Sequence, residues 1–378
     1  VTHAHTDSIW KLICKLKGSR VIPYGRQTIT DIDRKSVASA LDDAWLTQGP
    51  PIEAFEQIVA DRVHAAHAVA FMNATAALHA AAWAGGLGVR DLLYTSSLSF
   101  IASANCGAYV GADVGFVDID PRTLNMDVTK VPEDAKAIVP VHFAGLPADL
   151  SQLNRRPDVI IEDAAHAMGA ETPDGPVGCC AHSDMAVFSF HPVKTVTAGE
   201  GGVVTTNNAE LAERLRRFRH HGIERIDGAD AWEYVVNEVG MNFRMTGLQA
   251  ALGSSQMAQL DGFLERRDQL VSQYRELLAD LPLTMGPEAP AGFRHGRHLF
   301  TIQVEDRRAV FNHMRDNGVG VQVHYVPIHH HPPYAAAAGS LPQTDKAYDH
   351  ILSLPLFPLL TDAEQIEVVD TLRGALAS

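Results

Sequence analysis

Cysteine is scarce in this 378-residue chain: Cys14, Cys106, Cys179 and Cys180 are the only four. They form no C-x-x-C pair, and neighbours such as Cys179 and Cys180 are poorly placed for an ordinary disulfide. A reducing, cytoplasmic location is expected. Basic residues are also in deficit, with 31 Lys plus Arg against 45 Asp plus Glu and a formal charge of -14. That balance argues against general affinity for nucleic acid or anionic lipid, so an anionic ligand must be held by a local site. The most apolar stretch, Ala65 to Val89, is rich in alanine and broken by His67, Asn73, Thr75 and His79, so no membrane span is expected. Near the start, Lys11, Lys15 and Lys17 interrupt the apolar residues, so residues 1–20 read as a short extension rather than an export signal. Neither Gly85-Gly86-Leu87-Gly88 nor Gly199-Glu200-Gly201-Gly202 has G-x-G-x-x-G spacing, which weighs against a dinucleotide-binding oxidoreductase.

What is present suits a large core: 46% of residues are hydrophobic and 20% charged, and the length suggests two domains. Short apolar runs at Ala68–Met72, Leu92–Thr95, Val114–Val117, Ala137–Val141, Val159–Ile161 and Met185–Phe190 alternate with helical patterns. The alternation predicts an α/β fold with a mainly parallel sheet covered by helices on both faces. In such sheets ligands collect at the carboxyl ends of strands, which singles out Asn73, Asp163 and Ser189. From Gly247 to about Asp280 the pattern becomes a long helical one, interrupted by Gly253 and Gly262 and stopped by Pro282. This segment is expected to bridge a large domain, residues 21–280, to a smaller α+β domain, residues 281–378. The smaller domain should hold a strand at His298–Val304, a helix at Asp306–Asn317 and a last helix from Thr361.

Lys194 stands in a loop after the buried run that ends at Phe190, followed by Gly199-Glu200-Gly201-Gly202. Burial and a nearby cation would lower its pKa and make the amine nucleophilic enough to form a Schiff base. A loop lysine by itself is more often a solvated surface charge. Its companion is Asp163, at the end of Val159-Ile160-Ile161-Glu162-Asp163, where a buried carboxylate can keep the ring nitrogen of pyridoxal phosphate protonated. Such an aspartate could equally cap a following helix. Asn73-Ala74-Thr75-Ala76-Ala77 opens an alanine-rich helix whose N-terminus would suit a phosphate, with Ser189 adding a hydroxyl; Thr75 could also serve as a plain N-cap.

These segments, together with Leu46-Thr47-Gln48-Gly49, Gly240-Met241-Asn242-Phe243-Arg244-Met245, Val323-His324-Tyr325-Val326-Pro327 and Leu354-Pro355-Leu356-Phe357-Pro358, resemble the DegT/DnrJ/StrS family of sugar aminotransferases from about Ile22 to Leu372. The resemblance implies the type I pyridoxal-phosphate (aspartate-aminotransferase-like) fold, with pyridoxal 5'-phosphate as cofactor. By it, Lys194 forms the Schiff base, Asp163 pairs with the pyridine nitrogen, and Thr75, Ala76 and Ser189 hold the phosphate. Phe100 would stack on the ring face and His166 would lie near the ring hydroxyl. Asn242 would reach the phosphate of a neighbouring subunit's cofactor, which implies a homodimer with shared sites. Within the family, Ile22 to Gln27, Gln249 to Gly253 and His324 to Ile328 are most similar to members acting on UDP-linked 4-keto-6-deoxy-hexoses. That likeness suggests that Tyr24, Leu46, Thr47, Gln48 and Gly49, with Ile328, His329, His330 and His331, contact the nucleotide sugar, and that L-glutamate is the amino donor. Gly247 departs from the family pattern, since many members have an acidic residue there.

Two other readings deserve comparison. His324 with His329, His330 and His331 hints at a metal enzyme. Consecutive histidines are expected to point apart and no nearby carboxylate completes a ligand set, so no metal is expected. A non-catalytic member that merely binds a nucleotide sugar would not need Lys194 and Asp163 together, and Lys194 excludes the branch that performs dehydration with histidine in that place.

Overall fold

The computed structural model describes residues 21–337 and 339–377, so the expected extension 1–20 lies outside the described residues. Helix α1 (Asp31–Ala40) starts at Thr30, which forms a reciprocal capping box with Asp33. Helix α2 (Pro50–Val63) has proline in its first turn, where no amide partner is lost, and follows Gly49 at φ 85°. Strand β1 (His67–Phe71) then leads into α3 (Ala74–Ala84). Next come β2 (Leu92–Ser96), α4 (Ala102–Tyr109), β3 (Asp113–Val117), β4 (Ala137–Val139) and β5 (Val159–Asp163). A small pair, β6 (Glu171–Thr172) and β7 (Gly175–Pro176), precedes β8 (Met185–Ser189) and β9 (Gly202–Thr206).

Seven strands form the central sheet in the order β1-β9-β8-β5-β4-β2-β3. The pairs from β8 to β3 are parallel, as expected, but β9 pairs antiparallel with both β1 and β8. Side-chain alternation along β1 places Ala68 and Ala70 in one core with Phe55 and Val59 of α2, and Val69 and Phe71 in another with the alanines of α3. Helix α5 (Ala209–Arg219) covers the second core through Ala212, Leu215 and Phe218. The hairpin of β10 (Ile223–Arg225) and β11 (Tyr234–Val236) projects beyond it.

The segment expected as one long helix is two: α6 (Gly247–Met257) and α7 (Leu260–Leu277). The break falls at Ala258–Gln259 rather than at either glycine, and α7 ends before Pro282. Gly253 has a packing reason, since a Cβ there would come within 2.7 Å of the Phe55 ring. Helix α7 does bridge two cores: Leu260, Phe263 and Leu264 lie with α2, while Leu270, Val271 and Tyr274 lie in a C-terminal core. That core is built on the sheet β12 (Thr284–Met285), β13 (Phe300–Gln303) and β14 (Ile351–Leu354), with α8 (Arg307–Asp316), α9 (Pro342–His350) and α10 (Asp362–Ala377) around it. Ile22 also enters it, because Gly320 lets the chain pass: a Cβ there would sit 2.9 Å from both Ile22 O and Tyr24 N. No described helix is long and apolar enough to cross a membrane.

Asp33, almost fully buried, ties α1 to α6 by accepting from Ser255 Oγ, from Gln256 Nε2 at 2.9 Å and from Gln259 Nε2 at 3.0 Å. Burial alone would raise its pKa, but the hydrogen bonds from Ser255, Thr30 and Gln256 outweigh it and hold the value below the usual range. A depressed carboxylate stabilises the fold above its unfolded pKa and loses that contribution as pH falls through its folded one. Asp33→Asn is therefore expected to be less stable than wild type at pH 7, with the gap closing below about pH 3.9, and Asp33→Ala to cost on the order of 2–4 kcal/mol. Urea unfolding at pH 7 and pH 3 measures both.

Candidate active site

Gly202 pairs with Phe71 on one side and Ser189 on the other. A Cβ on Gly202 would lie 2.5 Å from Asn73 O and 2.6 Å from Ala74 N, so only glycine lets β9 touch the start of α3. That contact gathers Ser189 beside the N-terminal turn holding Thr75 and Ala76. The N-cap is Asn73 rather than Thr75: its Oδ1 accepts from Ala76 N at 2.9 Å. Thr75 is thereby left in the first turn, where amides and the helix dipole favour an anion.

Between β8 and β9 the chain folds back on itself. Phe190 N donates to Gly201 O at 2.9 Å, and Ala198 N and Thr197 Oγ1 donate to Phe190 O at 2.9 and 3.1 Å. Helix α6 pins the loop from outside: Gln249 Nε2 donates to Glu200 O at 2.7 Å, and Gln256 Oε1 accepts from Thr197 N at 3.3 Å. Lys194 is half-buried in this loop. Burial pushes its ammonium down to about 8, while Asp163 opposes the shift. Strand β5 lies next to β8, with Asp163 opposite Val187 in register. No helix follows Asp163, so it is not a helix cap; its Oδ1 accepts from Ala165 N at 3.1 Å in a turn, and its Oδ2 accepts from Ser103 Oγ at 2.6 Å.

Over this pair lies a layer of neutral histidines. Burial first, and the Lys194 charge second, hold His166 well below the ordinary histidine range. His324 is pushed down to about 3 by the same two causes, and His298 well below its ordinary value by burial and then His166 and Lys194. His166 Nε2 is 3.0 Å from Tyr325 Oη, and its ring lies 4.5 Å from that of His298. The Nδ1 atoms of His166 and His298 are buried without a hydrogen-bond partner among the described residues. Phe100, 56% exposed, has its ring 6.0 Å from that of Tyr325. An amine near neutrality, a buried carboxylate, an open aromatic face, an unsatisfied histidine nitrogen and a helix N-terminus together fit a flat phosphorylated pyridine aldehyde.

The other expected residues fall in separate places. Tyr24 stands with its ring 5.6 Å from that of His324, and Gly25 lies against Val193 beside the lysine. Leu46 and Thr47 meet the start of α6, through Gly247 N to Leu46 O at 2.7 Å and a bridge from Thr47 to Thr246. A Cβ on Gly247 would lie 3.0 Å from Trp45 O, so any larger residue there would press on this loop. Gln48 and Gly49 line a cavity of about 360 Å³ with Arg216, Arg217, Arg219 and Arg244. Ile328 to His330 instead run beside Ser97, past the end of β2. Asn242 is exposed on the surface, bridged to His220.

Ser103 and His298 do not stand out as site residues in the sequence: Ser103 belongs to no motif, and His298 reads only as the start of a strand. Ser103→Ala would leave the buried Asp163 carboxylate short of a donor and is expected to cost about 1.5–3 kcal/mol. With Asp163→Asn already present the same change should cost less, and strictly additive values in urea unfolding would show that the two residues are uncoupled.

Comparison with known proteins agrees with this chemistry. The model of the DegT/DnrJ/EryC1/StrS aminotransferase family matches residues 27–373. The spore coat polysaccharide biosynthesis protein SpsC of Bacillus subtilis is 33% identical over 94% of this chain and 97% of its own. Helicobacter pylori PseC, an aminotransferase involved in the biosynthesis of pseudoaminic acid, superposes with a TM-score of 0.86 at 26% identity, over 95% of this chain and 100% of its own. A sugar aminotransferase of Streptococcus pneumoniae, Spr1654, described as putative and solved in PMP and PLP forms, gives TM-scores of 0.89 and 0.87 at 25% identity over 94% of this chain and 99% of its own. The chain belongs to the DegT/DnrJ/EryC1/StrS aminotransferase family, is a sugar aminotransferase of the type I pyridoxal-phosphate fold, and uses pyridoxal 5'-phosphate as its cofactor.

Proposed function

We propose that the protein transfers an amino group from L-glutamate to a UDP-linked 4-keto-6-deoxy-hexose, with Lys194 and Asp163 at the reacting centre. The observation that carries this reading is Lys194 itself, an amine brought to about 8 beside a buried carboxylate. When bound, the cofactor supplies a carbonyl that exchanges amines and a ring that accepts electrons. Lys194 would hold the cofactor through Nζ, and its neutral amine would serve as the base that moves the proton at the reacting carbon. Asp163 would hold a proton on the ring nitrogen, Phe100 would cover the ring face, and His166 would lie by the ring hydroxyl. Thr75, Ala76 and Ser189 bind the phosphate; for Ala76 this requires its amide to be shared with Asn73. Tyr24, the 46–49 loop and the 328–331 segment bind the nucleotide sugar, a substrate class supported by the likeness to the pseudoaminic acid enzyme. Buried free thiols at Cys106 and Cys180 support a cytoplasmic location. Incubation with glutamate and a panel of UDP- and dTDP-linked keto sugars, read by mass spectrometry, should give an amino sugar with the UDP-linked 4-keto compound.

Only the neutral amine attacks a carbonyl, and with a pKa of about 8 roughly a tenth of Lys194 is neutral at pH 7 and roughly nine-tenths at pH 9. The rate at which cofactor-free protein captures pyridoxal phosphate should therefore rise through this range and level off above it, as read by visible absorbance. Lys194→Ala should show neither that absorbance nor transamination. A capture rate indifferent to pH would sink the assignment of Lys194.

The active unit we propose is a homodimer. Tyr234, Val235 and Val236 of β11 are all exposed, Trp232 is 73% and Val239 82% exposed, and an isolated two-stranded hairpin is marginal in water. On this reading a second copy covers the strip, and the exposed Asn242 reaches the other subunit's phosphate, the role that the family resemblance gives it. Losing that hydrogen bond in Asn242→Ala should cost on the order of 1.5–3 kcal/mol, or roughly ten- to a hundredfold in cofactor affinity. Mixing Asn242→Ala with Lys194→Ala chains restores one complete site, because the only site with Lys194 draws Asn242 from its partner. Activity at limiting cofactor should rise above the sum of the separate variants; if it stays at that sum although subunits exchange, the shared site is wrong.

A further inference from the structure

The adjacent histidines of the 328–331 segment do not point apart. His329 Nε2 and His330 Nε2 converge on one oxygen, Asp345 Oδ1, at 3.1 and 2.9 Å. Asp345 lies in the first turn of α9, so the carboxylate that the sequence seemed to lack arrives from 15 residues further on. The three ligand atoms lie within 4.8 Å of one another. We propose that His329, His330 and Asp345 form a binding site for a divalent transition metal of the zinc class.

Zinc bonded to nitrogen and oxygen at about 2.0–2.1 Å in a tetrahedral array needs its ligand atoms about 3.3 Å apart. The two nitrogen-to-oxygen separations already approach that spacing. Two imidazoles and one carboxylate select Zn²⁺, Co²⁺ or Ni²⁺ over Mg²⁺, and three protein ligands leave a fourth position for water.

Both sides of the site are anchored beyond the ligands. His329 Nδ1 is 2.7 Å from Ser97 Oγ, which also accepts from His329 N at 3.1 Å. On the other side, buried Asp118 accepts from Gln343 N at 2.9 Å and from Thr344 N and Oγ1 at 2.8 Å each, holding the turn that carries Asp345. Without metal, each histidine donates its Nε2 proton to Asp345. With metal, each proton resides on Nδ1 and the Nε2 lone pairs face the ion. The Ser97 hydroxyl supports both tautomers of His329, as donor to Nδ1 in the first and acceptor from it in the second.

Zn²⁺ titrated into the cofactor-loaded protein by calorimetry, with Mg²⁺ for comparison, tests the site. One Zn²⁺ per chain should bind and raise Tm, with no matching Mg²⁺ effect, and Co²⁺ should give the visible bands of a four-coordinate centre. His330→Ala and the isosteric Asp345→Asn should each weaken Zn²⁺ binding by at least about tenfold, and Ser97→Ala by about 10- to 100-fold; circular dichroism confirms that each is folded. His182→Ala, beside Cys179 and Asp174, should bind as wild type does. Absence of Zn²⁺ binding overturns the proposal, as does binding unchanged in both His330→Ala and Asp345→Asn, which would place the ion elsewhere, as at Cys179 and His182.

Discussion

The close passage of β9 over the start of α3 is the constraint on which the site depends. Gly202 lies between Phe71 and Ser189, with no room for a Cβ against Asn73 and Ala74. One backbone contact thus brings together a helix N-terminus and a serine that are more than a hundred residues apart. The antiparallel direction of β9 has a second effect. Since β8 and β9 are neighbours, residues 190–201 must turn back over the carboxyl ends of the parallel strands, and Lys194 is carried there. A parallel β9 would need a crossover and would leave no such loop.

The electrostatics follow from keeping one mobile cation in that place. Burial disfavours the charged form of Lys194 and of His166, His298 and His324, and Lys194 disfavours charge on these three histidines in turn. The histidines start nearer neutrality, so burial removes their charge altogether, whereas the lysine falls only to about 8 with Asp163 opposing the fall. The result is an amine poised for nucleophilic chemistry and a histidine layer that can accept or donate hydrogen bonds without competing for its proton.

Local signals were legible in the sequence and remote ones were not. Apolar runs marked six strands of the central sheet, and residues at their ends marked Asn73, Asp163 and Ser189. Gly202–Thr206 escaped notice because its run follows directly on a glycine-rich loop, and its direction depends on partners far away. The break after Met257 carries neither glycine nor proline. Ser103 meets Asp163 across 60 residues and Asn73, two positions before Thr75, takes the cap, neither of which leaves a periodic trace. Asp345 is the sharpest case: nothing in its own neighbourhood pairs it with His329 and His330, since only the packing of α9 against Asp118 brings it there.

The two cores also meet at the site, and this makes its geometry a property of the whole chain. Arg267 of α7, fully buried, donates to Arg297 O, His298 O and Leu356 O at 3.2, 3.3 and 3.0 Å. Burial pushes its guanidinium down only to about 10, so it remains charged, and three carbonyls replace its water. It therefore clamps the start of β13 to the bridging helix and fixes the backbone of His298. His324 is fixed from β14, through Ser353 Oγ at 2.8 Å, and Tyr325 follows it to reach His166 Nε2. One wall of the pocket is thus set by β5 and β8 of the central sheet, and the facing wall by the C-terminal sheet. A shift between the two would move Tyr325 and His298 against His166 before it moved Lys194 against Asp163. Asp163 ends β5 and Lys194 lies in the loop that follows the neighbouring β8, so both members of the reacting pair are carried by one sheet, whereas the facing wall is carried by another.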